Sequence, residues 1–195
     1  MGNGAGLDPP TVYAHPDFIA KELELADVDG NGLLDLVAVG QAALAPSFSG
    51  RLAVFLNSGD GVLGAPTYLP LSDIPGSLVA AELDGDGRLD LAVVPDPSPE
   101  PQPYPYPGLP SPQVLVLSND GDGGFSSATT IDLPSLAHAV DAGDVDDDGA
   151  IDMVVAGEEL YLLLNDGLGG FDVSSIQGKP MEPWAGWETV SSWTH

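Results

Sequence analysis

The sequence has no cysteine, so no disulfide framework holds it, and in a secreted protein metal would have to supply the stapling instead. It carries 4 Lys and Arg against 30 Asp and Glu, a formal net charge of −26. That shortage of positive charge excludes nucleic acid as a natural partner, because phosphate-backbone binding relies on Lys and Arg. It also makes an anionic membrane surface repulsive. No stretch approaches the roughly 18 consecutive apolar residues of a transmembrane helix, so membrane insertion is not expected. The N-terminus lacks the basic-then-apolar pattern of a signal peptide. Histidine is scarce: His15, His138 and His195 lie in unrelated contexts and form no metal-ligand spacing. No Ser/His/Asp constellation stands out, and the chain reads as a non-enzyme. What remains is 43% apolar, one domain's worth of chain able to bury a core. A chain this acidic is expected to be soluble but self-repelling without cations.

What the sequence does have is repetition. An acidic motif occurs at 27–35 (Asp27-Val-Asp29-Gly-Asn31-Gly-Leu-Leu-Asp35), at 82–90 (Glu82-Leu-Asp84-Gly-Asp86-Gly-Arg-Leu-Asp90) and at 144–152 (Asp144-Val-Asp146-Asp-Asp148-Gly-Ala-Ile-Asp152). Oxygen-bearing side chains at the first, third, fifth and ninth positions around a glycine suit a hard cation. Ca²⁺ takes about six to eight oxygens at about 2.3–2.6 Å, and a sharply turned loop brings that many from one segment. The loops begin 55 and then 62 residues apart, near the length of a four-stranded propeller blade. A second element recurs in phase: Leu52 to Pro66 is echoed by Val114 to Phe125 and by Leu160 to Phe171, each with an Asn-x-Gly turn. A remnant of it, Asn3 to Pro10, opens the chain, as if the trailing strand of one unit preceded three complete ones.

The segments between the turns read as strands. Each acidic loop is followed by a short apolar run, at Leu34 to Val39, Leu89 to Val94 and Ile151 to Ala156. The Asn-x-Gly-x-Gly stretches are hairpin chemistry, since Asn and Gly accept positive φ cheaply. The best helix candidate, Asp17 to Ala26, precedes the first loop where the other repeats read as strands (Gly76 to Ala81, Leu136 to Ala142), so it too is read as a strand. EF-hands need a bidentate Glu at position 12 and flanking helices; position 12 here is Ala38, Val93 and Val155. The Gly59-Asp-Gly61-Val-Leu-Gly64 stretch fits a dinucleotide fingerprint, but no helix follows it. A glycosidase pair is disfavoured because most carboxylates sit in the repeated loops, where bound calcium would hold them ionised.

The acidic loop, the Leu-Asp-Leu-Val strand after it, the Asn-x-Gly-x-Gly-x-Phe hairpin and the Gly64-Ala65-Pro66 triplet together resemble the FG-GAP/VCBS-type repeats of integrin-α-like β-propellers. The resemblance spans roughly residues 1–176. It implies an all-β fold of antiparallel four-stranded blades, about three of them, with Ca²⁺ bound between two strands of each. Carried over by position, the first site would use Asp27, Asp29, Asn31, the Leu33 carbonyl and Asp35. The second would use Glu82, Asp84, Asp86, the Arg88 carbonyl and Asp90, with Glu82 departing from the pattern. The third would use Asp144, Asp146, Asp148, the Ala150 carbonyl and Asp152. About three calcium ions are implied.

Two segments break the repeat. A Pro-rich insertion at 95–112 has proline at alternate positions from Pro95 to Pro107, which favours polyproline II and reaches roughly 40 Å at about 3.1 Å per residue. It is either a solvated loop or a docking arm presenting Tyr104 and Tyr106. The tail at 177–195 holds Trp184, Trp187 and Trp193, which either plug the last blade or anchor a partner. Propellers close with about four to eight blades, so three form an incomplete propeller, one completed by oligomerisation, or a part of a longer chain. The expected function is a calcium-stabilised extracellular or cell-surface protein, serving adhesion or acting as a self-assembling surface or filament subunit through tail and arm. A lectin-like carbohydrate-binding module using Tyr104, Tyr106 and Trp184, or an accessory domain of an extracellular hydrolase, are the alternatives. A glycan or a cell-surface protein is the expected partner besides a second copy.

Overall fold

Val, Leu and Ala crowd the segments between turns, and the described segments of this kind form strands. The computed structural model describes residues 15–43, 49–59, 62–97 and 110–176. Among them there is no helix, and twelve strands form three four-stranded antiparallel sheets. The first is β1 (Phe18–Ala26), β2 (Asp35–Ala42), β3 (Gly50–Phe55) and β4 (Thr67–Leu71). The second is β5 (Pro75–Ala81), β6 (Asp90–Pro95), β7 (Gln113–Asn119) and β8 (Phe125–Asp132). The third is β9 (Ala137–Gly143), β10 (Asp152–Gly157), β11 (Leu160–Asn165) and β12 (Phe171–Ser175). Each sheet is a meander in chain order and none closes into a barrel; these are propeller-type blades. The stretch expected as a strand is extended from Phe18 to Ala26, Asp17 lying in the turn before it, with a bulge at Ala20/Glu22. Pro75 and Pro95 pair at the ends of their strands, where a missing N–H costs the ladder least. The opening remnant, most of the Pro-rich insertion and the Trp-rich tail lie outside the described residues.

The register is reproduced from blade to blade. Leu36 faces Phe55 across β2 and β3, Leu91 faces Leu117 across β6 and β7, and Met153 faces Leu163 across β10 and β11. Both faces of these strands are apolar because the blades lie face to face. Between the first and second blades, Val37, Val39 and Val54 pack on Leu78, Leu91 and Leu117. Between the second and third, Ala92, Val94 and Val116 pack on Val140, Met153 and Leu163. The first strands converge, with β5 between β1 and β9. There the link is polar: Leu78 and Ala80 N–H donate to Glu22 Oε2 (2.8 Å) and Glu24 Oε2 (2.9 Å). Val140 N–H makes the matching, longer bond to Ser77 Oγ at 3.5 Å.

Candidate metal centres

Each acidic loop joins the first strand of a blade to its second. Two residues per loop take positive φ: Gly30 (72°) and Gly32 (85°), Gly85 (81°) and Gly87 (84°), then Asp147 (62°) and Gly149 (94°). Among the described residues, Asp147 is the non-glycine one in that region, where a Cβ is strained. Asp147→Gly is therefore expected to stabilise the fold by about 1 kcal/mol, read as a higher midpoint in thermal unfolding.

The turns aim carboxylates inward, and backbone N–H groups hold them. Asp27 accepts from Asn31 N–H (3.0 Å) and Gly32 N–H (2.8 Å). Asp144 accepts likewise from Asp148 N–H (3.2 Å) and Gly149 N–H (3.0 Å). Glu82, one methylene longer, takes the Gly85 N–H instead (2.5 Å), so the second loop departs structurally where it departs in sequence. The seventh position is fixed alike in all three: Leu33 N–H donates to Asn31 Oδ1 (2.8 Å), Arg88 N–H to Asp86 Oδ1 (2.9 Å) and Ala150 N–H to Asp148 Oδ1 (2.8 Å).

The geometry fits calcium. Oxygens of Asp27, Asp29 and Asp35 lie within 4.8 Å of one another, as do those of Glu82, Asp84 and Asp86 and those of Asp144, Asp146 and Asp152. Ligands at about 2.3–2.6 Å from one ion stand at most about 5 Å apart, so one cation can touch all members of each trio. The first and third trios take the ninth-position Asp and the second takes Asp86 in its place. Asp86 is also paired with Arg88 Nη1 at 2.9 Å. That guanidinium competes with a cation for one oxygen and repels it. Arg88→Ala is thus expected to tighten the second site severalfold while leaving the other two unchanged, as isothermal titration with calcium reads directly.

The ninth-position aspartates do more than line a site. Asp35, Asp90 and Asp152 are fully buried. Asp35 accepts from Val28 N–H (2.9 Å) and Asn57 N–H (2.7 Å), Asp90 from Leu83 (3.2 Å) and Asn119 (3.0 Å), Asp152 from Val145 (2.8 Å) and Asn165 (2.8 Å). Each carboxylate ties its loop to the end of the third strand. Burial pushes Asp90 above the usual carboxylate range, with the Asp84 and Asp86 charges adding and the Asn119 and Leu83 N–H bonds opposing. Asp146 is raised by desolvation within its loop and by Asp148, Asp152 and Asp144. Burial raises Glu24, the Ala80 N–H bond opposing and the Glu22 and Asp141 charges adding.

These shifts give opposite pH dependences with and without metal. A carboxyl whose folded pKa exceeds its unfolded one adds stability below the unfolded value and loses it as pH rises through the folded one. In EDTA, Glu24 and Asp90 should make the midpoint rise as pH falls from neutral towards the ordinary carboxylate range. Asp166, held below the ordinary range by the Gly170 and Leu168 N–H groups, works the other way. In calcium, protons on the loop carboxylates would compete with an ion held there, so the midpoint should fall instead; melting curves over that range in both media check the crossing.

Sequence reasoning missed one set of residues. Asn119 Nδ2 donates to Val28 O of the preceding blade (2.8 Å) and to Leu89 O (2.9 Å); Asn165 Nδ2 donates to Leu83 O (3.0 Å) and to Ile151 O (2.9 Å). The Asn of the second and of the third hairpin thus clasps the acidic loop one blade back, while Asn57 of the first bonds Leu34 O of its own blade. The recurrence of Asn at 57, 119 and 165 was the available signal, read only as turn chemistry.

Four-stranded meander blades that carry an acidic loop between first and second strands define a propeller-type repeat protein. The model of the FG-GAP-like repeat matches residues 27–93, from the first loop through most of β6. The structure is similar to the Photorhabdus luminescens Tc holotoxin pore carrying the TccC3-D651A mutation, at 21% identity and a TM-score of 0.49. That similarity covers 88% of this chain and 7% of that one. No curated protein matches the chain.

Proposed function

We propose that this is a non-enzymatic, calcium-binding repeat protein of extracellular or cell-surface location, serving adhesion or acting as a self-assembling surface subunit. The observation that carries the calcium reading is the convergence of three carboxylate oxygens to within 4.8 Å in every one of the three loops. N–H donors occupy part of each carboxylate, and a cation relieves the mutual repulsion of the rest. Modular sites of this kind fill at about 10⁻⁴–10⁻³ M calcium, which supports placement outside the cytosol. The absence of cysteine makes metal the available staple. Apolar side chains exposed on the first and third blades, among them Leu23, Leu25, Val145 and Leu160, support self-assembly. Titration calorimetry tests the reading: about three calcium ions per chain are expected, with weaker binding of magnesium, whose tighter octahedral demand these loops do not suit. A chain that takes up no calcium overturns it.

A further inference from the structure

Every contact between blades has a giving and a receiving half, and among the described residues the repeat leaves one of each unpaired. On the giving side, Val28 and Leu83 are each 1% exposed in the core made with the next blade, whereas Val145, the same position in the third blade, is 50% exposed. Leu160 is 47% exposed where its counterparts Leu52 and Val114 are 1% and 0%. On the receiving side, Leu78 is 5% exposed beneath the first blade, whereas its counterpart Leu23 is 61% exposed.

The receiving half of the first blade is shaped for such a plug. Val28 shares its core with Leu91, Leu117 and Phe125. Their register equivalents, Leu36, Phe55 and Leu63, line a cleft of about 200 Å³ on the outer face of the first blade. The polar clasp is half-made too. Asn119 and Asn165 each give both Nδ2 protons to carbonyls, the second being that of Val28 or Leu83. Asn57 Nδ2 has Leu34 O as its one acceptor among the described residues (3.0 Å). Its missing acceptor is the carbonyl of a residue placed like Val145. Asp141 likewise stands where Glu24 stands in the first blade, and turns back on its neighbour Ala142 N–H (2.9 Å).

We propose that the chain associates head to tail with a second copy of itself, Val145 of one protomer seating in the Leu36–Phe55–Leu63 cleft of the next and its carbonyl accepting from Asn57 Nδ2. The interface reproduces the two already inside the chain, so its shape and bonding are those the sequence has satisfied twice. It rests on the self-assembly reading above and assigns it to the end blades rather than to the Trp-rich tail or Pro-rich arm. A contact of unlike surfaces makes a ring if the rotation closes and a filament if it does not. Like-charged copies repel, so moderate salt should favour association.

Complementation tests it. Light scattering after size exclusion, in calcium and moderate salt, is expected to give a wild-type mass above one chain. A giving-face variant (Val145→Ser with Leu160→Glu) and a receiving-face variant (Leu23→Glu with Leu25→Glu) should each be monomeric and folded, because the altered side chains are exposed. Mixed in equal amounts they should form a one-to-one dimer and nothing larger, since one intact pair of faces remains. A Trp184→Ala, Trp187→Ala, Trp193→Ala variant should assemble like wild type. A monomeric wild type, variants that assemble normally, or a mixture that stays monomeric overturns the docking. The number of calcium ions bound is read separately by calorimetry, so failure of the metal reading and failure of this one are distinguishable.

Discussion

Replacing Asp35 by alanine lowers the melting midpoint by roughly 5–20 °C, in EDTA as well as in calcium. The side chain is fully buried and both oxygens are taken, by the N–H groups of Val28 and Asn57. Alanine leaves two donors without acceptors, at about 1–3 kcal/mol each, and a chain of this size moves about 2–4 °C per kcal/mol. Val28 is also the plug between the first two blades, so the loosened loop softens that core. Asp29→Ala is the comparison. Among the described residues Asp29 accepts only within its own loop, from Asn31 N–H (3.1 Å) and Asn31 Nδ2 (2.9 Å). In EDTA its loss should change the midpoint by a small amount, since removing a carboxylate also removes repulsion. Calorimetry of both variants in EDTA decides: equal losses would show that Asp35 is a ligand and no more.

With calcium in the three loops as proposed, stripping it from the wild-type protein is expected to lower the midpoint by roughly 10–30 °C. Each site filled at ten to a hundred times its dissociation constant adds about 1.4–2.7 kcal/mol, so three add roughly 4–8 kcal/mol. Domains of this kind have about 5–15 kcal/mol in total. The loss is therefore a large share of the stability, and without cysteine no covalent restraint softens it. The effect should be reversed by calcium and only weakly by magnesium. A midpoint indifferent to EDTA would falsify the structural role of the metal.

Much of this was legible in the sequence because a repeat states its pattern more than once. The three acidic loops and the three Asn-Gly hairpins set the blade period, and the apolar runs after each loop became β2, β6 and β10. Even β1, whose Lys21-Glu-Leu-Glu-Leu stretch has helical propensity, was settled by its counterparts Gly76 to Ala81 and Leu136 to Ala142. What was hidden lies between blades. The Asn119–Val28 and Asn165–Leu83 bonds join residues 91 and 82 apart, beyond any local pattern. The burial of Asp35, Asp90 and Asp152 was hidden for another reason. A ninth-position aspartate looks the same whether it faces an ion, a backbone donor or both.

The clasps run from each blade to the one before it, so tension along the chain meets a series of similar fasteners rather than one shared core. The middle blade is gripped on both faces and the outer two on one, so under load an end blade should peel first and the centre yield last. A protein built this way is expected to lengthen in steps, giving up one blade at a time, which single-molecule stretching would read.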